Sequence, residues 1–406
     1  MPTSDSGIPL IATNCIKSDK LYPVYENVRY VSDEIFQNWF RSHPLPDDVI
    51  FVNKGTPGLV CMIPDPVDFC IAQDMVALRS DPSIMDTKFL YACLDSHIFQ
   101  SQVKNTSVGT MIPHLKKGDF VNLWLPVPPI KESSEIGNLI FNIDYYSHHS
   151  NRIINSISDL ISALFRSWFI DFEPVKAKAE GKLPYGMDEE TAALFPDTFE
   201  DSKFGEIPEG WEIKKLDSII DYKEGPGIRN WQYVYDGKGT NFINIRCIKN
   251  GDLDISTANQ ISNEEAYGKY SHFHLQENDV VISTSGTLGR YAVVRKEHLP
   301  LVLNTSVIRL RPKDNCNLSF LLGYVETGLQ NELQALASGS VQLNFGPMHL
   351  RIISLIYPPI SILNAYEKAV NKLLTMNFHL QTRRNTLSNL RYVLLPKLMS
   401  GELSVS

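Results

Sequence analysis

Two stretches of the chain carry a seam of apolar residues at alternating steps of four and three. In the first, over residues 131–172, the seam runs Ile136, Ile140, Ile143, Ser147, Ser150, Ile154, Ile157, Ile161, Leu164 and Trp168. In the second, over 361–400, Tyr366, Val370, Leu373, Asn377, Leu380, Leu387, Leu394 and Leu398 keep the same frame, with Arg384 and Arg391 breaking it. Such spacing marks a helix that packs along another helix. No proline intervenes before Pro174 or Pro396. The pattern predicts two helices, each about 60 Å long at 1.5 Å per residue, paired antiparallel.

The rest of the chain reads as short β-rich runs punctuated by Gly and Pro, over residues 1–129 and about 206–359. The clearest strands are "VIFV" and "VVIS", then "MVAL" and "SVIRL", all rich in β-branched residues. A short helix is expected to start near Asp86 and another near Leu318. Each β-rich region closes on a double proline, Pro128-Pro129 and Pro358-Pro359, which stops a strand and opens a turn.

These regions are copies of one unit. "DDVIFVNKGTPG" (47–58) recurs as "NDVVISTSGTLG" (278–289), an offset of 231. Upstream, "NCIK" from Asn14 matches "RCIK" from Arg246 at 232, as Gly7 matches Gly239. Downstream, Gln73 falls on Asn304 and Phe89 on Phe320 at 231, then Gly109 on Gly339, Leu160 on Leu390 and Leu164 on Leu394 at 230. An ordered series with so little drift is an internal repeat. The expected fold class is α+β: two similar mixed α/β domains separated by two long helices in an antiparallel coiled coil, related by an internal two-fold pseudo-repeat. The boundaries are 1–129 for the first domain, 130–172 for the first helix, 173–205 for an acidic linker, 206–359 for the second domain, and 360–406 for the second helix and tail. In the linker, Ala192 to Phe195 could dock as an anchored turn.

The second domain opens with "GEIPEGWEIKKLDSIIDYKEGPG", with Glu212–Leu216 as an opening strand and Trp211 as a buried anchor. The first has no counterpart, because residue 1 aligns with about residue 233. A truncated start, a misassigned start and a different closure all remain open.

Composition changes this picture little. With 406 residues, 43% hydrophobic and 21% charged, the chain is ordinary globular material for two or three domains. No apolar run approaches the ~20 residues of a membrane span, and the N-terminus has no signal-peptide pattern. Six scattered cysteines without CxxC spacing read as reduced thiols of a cytoplasmic protein. The net charge of −8 sits mostly in residues 173–209, where ten acids face four bases. Local basic surfaces therefore remain available elsewhere.

No catalytic group stands out. Pro64-Asp65 before Asp86-Thr87-Lys88 is a loose likeness of a nuclease metal site, but Asp86 reads as a helix N-cap. The double prolines lack the polar and aromatic neighbours of an adenine-methyltransferase motif. His272 and His274 would share one face of a strand, with no third metal ligand placed by spacing.

What remains is recognition. Around the repeated Gly-Thr-x-Gly turn lie hydroxyls, amides and cations, groups that read base edges and phosphates. In the first unit the candidates are Asn53, Lys54, Thr56 and Gln73, with Lys17, Lys104, Asn105, Thr106 and Lys116 on other turns. In the second they are Ser283, Thr284, Ser285, Thr287, Arg290, Asn304 and Thr305, with Arg229, Arg246, Lys249, Gln342 and Asn344.

At this point "GEIPEGWEIKKL", "ALFRSWFIDFEPVKAKAEGKLPYGM", "STSGTLGR" and the terminal "LLPKLMSGEL" resemble the specificity subunit of type I restriction–modification systems, over nearly the whole chain. The family's first domain opens with its own Trp-x-x-x-x-Leu strand, from which this chain departs. The resemblance implies two target recognition domains that each read half of a split site in double-stranded DNA, with the helices fixing the separation. It implies no active site, metal or cofactor in this chain. Two modification subunits carrying S-adenosylmethionine and restriction subunits using ATP and Mg²⁺ supply the chemistry. It places partner docking near Phe165, Trp168 and Phe169 and near Leu394, Leu395 and Leu398. The alternative from another class is a two-domain protein-interaction scaffold that does not bind DNA. An autonomous nuclease ranks third.

Overall fold

The repeated pattern folds the same way both times. Asp47 and Asn278 take left-handed φ values of 66° and 70°, which Asp and Asn tolerate far better than β-branched residues. Each turns the chain into a fully buried strand, Val49–Val52 or Val280–Ser283. The following Asp48 accepts from Leu45 N at 2.8 Å and Asp279 from Gln276 N at 2.7 Å. Arg79 clamps Asp48 at 2.6 and 2.7 Å, and Arg311 clamps Asp279 at 2.6 and 2.8 Å. Two-pronged guanidinium–carboxylate bonds fix geometry as well as charge, so one clamp sets the strand register in both copies.

The structure, a computed structural model, describes residues 3–38, 43–107, 111–249, 251–285, 289–329, 332–333 and 346–405. The chain forms two compact units, Met1–Ile153 with Leu380–Ser406, and Ile154–His379. In chain order the first has strands β1 (Ile8–Ile11) and β2 (Arg29–Val31), helix α1 (Asp33–Asn38), and strands β3 (Val49–Val52), β4 (Val60–Met62), β5 (Cys70–Ile71) and β6 (Met75–Leu78). Helices α2 (Thr87–Asp95), α3 (His97–Thr106) and the long α4 (Ile130–Phe169) follow.

The second unit continues with α5 (Glu173–Ala179), α6 (Glu189–Ala193), β7 (Phe199–Ser202), β8 (Gly205–Pro208), β9 (Glu212–Lys215), α7 (Leu216–Ile219) and β10 (Ile220–Glu224). Then come β11 (Tyr233–Val234), β12 (Thr240–Phe242), β13 (Ile248–Lys249), β14 (Asp252–Leu253), β15 (Asn259–Ile261) and α8 (Asn263–Tyr267). The remainder is β16 (Val280–Ser283), β17 (Tyr291–Val293), β18 (Leu301–Val302), β19 (Val307–Pro312), α9 (Leu318–Tyr324), α10 (Pro347–Ile352), β20 (Ser354–Tyr357) and the long α11 (Ile360–Ser400); α4 from Ile154 belongs to unit 2 and α11 from Leu380 to unit 1.

In unit 1, β1 pairs antiparallel with β2 and parallel with β5, and a second sheet runs β4-β3-β6. Side chains of β3 alternate between two cores, as strand geometry requires. Val49 and Phe51 join Met62, Phe89, Ile136 and Leu398, while Ile50 and Val52 join Ile11, Phe69 and Ile71. Within this unit α4 and α11 run antiparallel. Arg391 reaches Asp144 at 2.9 Å and Asp95 at 2.6 Å, and Arg384 reaches Asn151 at 3.2 Å, so partners advance along one helix as they retreat along the other. Burial pushes the Asp95 and Asp144 carboxyls above the usual range, against the opposing pull of the Arg391 guanidinium.

Unit 2 repeats these pairings. Its β12 lies between antiparallel β15 and parallel β18, and β16 between β17 and β19. Helix α2 is capped by Asp86 and α9 by Asn317, each side chain accepting from a first-turn amide. The helix segments of this unit also run antiparallel, with Tyr366 donating to Ile161 O at 3.3 Å and Asn377 to Ile154 O at 3.2 Å. Stretch 173–205, expected as a linker, holds two short helices and the first strand of a hairpin. Phe195 anchors it, 2% exposed, edge-on to Trp168 at 5.2 Å. Trp211 is buried as expected, at the start of β9.

The units differ at one sheet edge. β19 takes β10 on its outer side, in register from Ile220↔Pro312 to Glu224↔Ile308. Its counterpart β6 pairs only with β3 among the described residues.

Candidate nucleic-acid interface

Three loops of unit 2 are tied together beside the end of β16. Thr284 N donates to Ser306 O at 3.0 Å, Thr305 N to Pro226 O at 2.9 Å, and Ile228 N to the Asn304 side-chain oxygen at 3.1 Å. Gly225 is required by this closeness, since a Cβ there would sit 2.2 Å from the Asn304 carbonyl oxygen. Ser283, Thr284 and Asn304 are buried in this work. They hold the loops and are not presented to a ligand. Ser285 is half-buried, while Arg229, Arg290 and Thr305 are exposed and share the face.

One residue on this face escaped the sequence reading. Trp231 is 82% exposed, yet its support is buried. Gln232 donates to Glu265 at 2.7 Å and to the Tyr270 hydroxyl at 2.9 Å, and accepts from Arg229 N at 3.0 Å. The signal was an aromatic flanked by Arg229, Asn230 and Gln232 in a Gly-Pro-rich loop.

Unit 1 builds the matching face from 53–56, 73–74 and 113–116. Asn53 N donates to Asp74 O at 2.9 Å, Leu115 N to Asn53 O at 2.8 Å, and Gly55 N to Pro113 O at 3.0 Å. The Asn53 side chain is buried and donates to Leu115 O at 3.2 Å. Lys54, Thr56, Gln73 and Lys116 are exposed there, beside the exposed apolar pair Met111 and Ile112. At one matching place Lys54 stands in the first unit and Ser285 in the second, and the second face adds Arg229, Arg290 and Trp231, with Arg229 and Trp231 on a loop that aligns ahead of residue 1.

The remaining candidates scatter. Lys17 pairs with Glu26 at 3.2 Å and Lys249 with Asp254 at 2.6 Å. Arg246 is exposed on the turn before β13, and Lys104 and Asn105 on the last turn of α3, with Thr106 half-buried beside them. Thr287, Gln342 and Asn344 lie outside the described residues.

The expected docking residues have inner positions. Phe165, Trp168 and Phe169 are 2%, 6% and 5% exposed, packed with Tyr366, Phe320, Phe195 and Trp211 of the same unit. Leu395 and Leu398 lie in the unit 1 core, with Leu394 partly buried against it. Their apolar character is accounted for by that packing.

The catalytic lookalikes resolve into structure. Asp86 accepts from Lys88 N at 2.9 Å as an N-cap, and Lys88 Nζ reaches Asn138 at 2.9 Å. His272 lies in a 3₁₀ turn, not a strand, and His274 Nε2 bonds Ala266 O at 3.0 Å, so the two do not share a strand face. Among the described residues no three His, Cys, Asp or Glu side chains converge on a metal position, and no single helix is long and apolar enough to cross a membrane. All six cysteines are buried, and burial pushes the Cys93 and Cys316 thiols up to about 12.

Residues 6–159 and 208–374 match the type I restriction modification DNA specificity domain, once per repeat. The MjaIX specificity subunit of Methanocaldococcus jannaschii is 24% identical over 328 residues, 79% of this chain and 69% of that protein. The HindI specificity subunit of Haemophilus influenzae is 24% identical over 381 residues, covering 83% and 82%. A type I restriction–modification S subunit from M. genitalium has the same fold, with a TM-score of 0.59 at 16% identity over 98% of this chain and 93% of that one. With the family's domain matched on both units and the repeat visible down to its hydrogen bonds, the chain belongs to the DNA-specificity subunits of type I restriction–modification systems.

Proposed function

We propose that each unit reads one half of a bipartite site in double-stranded DNA, with residues 1–129 and 206–359 as the two readers. The observation that carries this is one backbone scaffold bearing two loop faces with different side chains at matching positions. Such an arrangement suits two unrelated half-sites. On these faces Lys54, Lys116, Arg229 and Arg290 supply cations, Thr56, Gln73 and Thr305 supply hydrogen-bonding groups, and Trp231 offers a ring that can stack on or wedge between bases. The other candidates, Lys17, Lys104, Asn105, Thr106, Arg246 and Lys249, serve at most as phosphate contacts at the margin.

Helix segments 130–172 and 360–406 act as the spacer. Half-sites read from one side of a duplex lie about one turn, roughly 34 Å, apart, a distance that helices of this length can set. The chemistry belongs to other subunits in the cytoplasm: two modification subunits that bring S-adenosylmethionine and methylate adenine, and restriction subunits that bring ATP and Mg²⁺. Docking uses the exposed flanks of 165–174 and 394–403, since the large apolar side chains there are committed to the cores.

The test is to purify the chain with its modification subunits and map methylated adenines across a genome. A split motif with a constant gap, in which exchanging residues 1–129 changes one half only, supports this reading. No methylation, or a continuous motif, favours the protein-interaction scaffold, whose binding would lack the steep salt dependence of phosphate contacts.

A further inference from the structure

Trp231 stands on a turn that is pinned from both sides. Before it, Ile228 packs in one core with Phe242, Ile261, Tyr270 and Val302. After it, Tyr233 lies against the same core, its ring 5.1 Å from that of Phe242. The residues between close a 3₁₀ turn, in which Gln232 N donates to Arg229 O at 2.9 Å and the Gln232 carboxamide accepts from Arg229 N at 3.0 Å. That carboxamide is itself buried, with its nitrogen donating to Glu265 and Tyr270. The turn therefore cannot fold the indole away. The ring stays 82% exposed and makes no ring contact among the described residues.

Its surroundings narrow what it suits. Arg229 and Asn230 are exposed beside it, and no acid lies between Gly225 and Tyr235. Other exposed rings of this unit are placed differently. Tyr267 stacks on His274 at 4.8 Å, and Tyr235 stands next to Asp236, whose charge phosphates would repel. A cation and an unattached ring on one ordered turn fit a polyanion with an apolar interior.

The chemistry of the ring selects the mode of contact. Base edges are read by hydrogen-bonding groups, and an indole has one donor to give. Its gain on contact comes from its faces, and the apolar surface of a duplex lies between stacked base pairs. With no second ring facing it, the indole cannot sandwich an extruded base. It can enter a step.

We propose that Trp231 is a wedge. Its indole inserts between two adjacent base pairs of the half-site read by unit 2, unstacks them and kinks the duplex, while Arg229 holds the phosphate beside the opened step. This rests on unit 2 being a DNA reader and adds a second kind of specificity to that reading. Pyrimidine–purine steps open most easily, so unit 2 favours such a step at one fixed position, even where no side chain touches a base edge. Because the turn is already ordered, little entropy is lost on contact.

The test uses the chain assembled with its modification subunits, and duplexes carrying the split site found by mapping methylated adenines. A nick that keeps its 5′-phosphate is placed at each step of the unit 2 half in turn. This loosens stacking and changes no base edge. Expected is one step at which the nick tightens binding of the native chain about fivefold or more and leaves Trp231→Ala indifferent. Energy transfer between dyes at the duplex ends should report a bend that Trp231→Ala reduces. Trp231→Phe, which keeps a ring, should retain part of both effects. Trp231→Ala should melt like the native chain, since so exposed a ring supports no packing. If no step shows a nick preference that depends on Trp231, or the bend is unchanged in Trp231→Ala, the wedge is overturned while the split site stands. Absence of a split site overturns the DNA reading and the wedge with it.

Discussion

Units 1 and 2 hold the same carboxylate–arginine clamp and the same pairing around β3 and β16, yet they fill the helix end beside α2 or α9 with opposite materials. In unit 2 the filling is aromatic, Phe165, Trp168, Phe169 and Tyr366, closed by Trp211. In unit 1 the equivalent places hold Leu395, Leu398, Met399 and Ile136. The difference is compensated in detail. Gly323 leaves room for Phe165, whose ring a Cβ would meet at 2.2 Å, whereas the repeat places Ala92 at that site, opposite Leu395. Register is held by a few polar bonds, and bulk is free to move between neighbouring positions so long as total volume is kept.

The largest way to break the comparison is through Arg391, whose repeat counterpart is Ile161. Arg391→Ala strands Asp95 and Asp144 together. A fully buried pair losing one partner costs about 3–5 kcal/mol. Arg391 and Asp95 retain 22% and 28% of their side-chain surface, so roughly 2–4 kcal/mol is expected in denaturant unfolding. An apolar replacement of all three residues should recover most of it. Equal loss in the triple variant would refute the account.

Next comes the volume exchange. Gly323→Ala should destabilise by about 1–3 kcal/mol through overpacking. Combined with Phe165→Leu it should cost less than the sum of the single changes, a coupling of about 0.5 kcal/mol or more. Strict additivity would show that the two positions do not share space.

A smaller effect separates the helices by pH. Burial, helped by the nearby His149, Arg152 and Lys20, depresses His148 to about 4, and its ring packs edge-on to Tyr22 at 5.2 Å. Its folded value lies below the unfolded one near 6.5, so the fold favours the neutral ring. That contribution is present above pH 6.5 and is lost as pH falls toward 4. His148→Phe, which installs the residue found at Phe378, should flatten the stability profile in that window. An unchanged profile would remove His148 from the explanation.

The smallest change is at the surface. Lys116→Ala should lower the salt slope of DNA binding by about 1 without altering the sequence read. Trp231→Ala, by contrast, should relax only the half read by unit 2. Loss of both halves together would argue against separate readers.

Much of this was legible in the sequence because repeats and seams depend on local residue type. The offset pattern found both units, Asp86 was read as an N-cap, and the four–three spacing found both long helices. The failures have a common cause. Phe165 takes the buried place assigned to Leu164, and the aromatic helix end was read as an outward surface. The groups that cover it, Phe195 and Trp211, return from later in the chain, and spacing along a helix cannot show that. Likewise Ser283, Thr284, Asn53 and Asn304 have the chemistry of ligand contacts, but loops brought together by their backbones use the same chemistry to hold themselves closed. The strand expected at His272 fails because Ser271–Phe273 closes into a 3₁₀ turn, with Phe273 N donating to Tyr270 O at 2.9 Å.

The division of the chain also sets an order of events at the ribosome. Unit 2 is one continuous segment, Ile154–His379, while unit 1 joins Met1–Ile153 to Leu380–Ser406. The first unit to be synthesised therefore cannot close its core until Leu395, Leu398 and Met399 emerge, after the whole of unit 2. The later unit has everything it needs sooner, so vectorial synthesis, which usually completes domains from the N-terminus, here finishes the first unit last. Until then its apolar strands remain exposed to chaperones and to premature pairing.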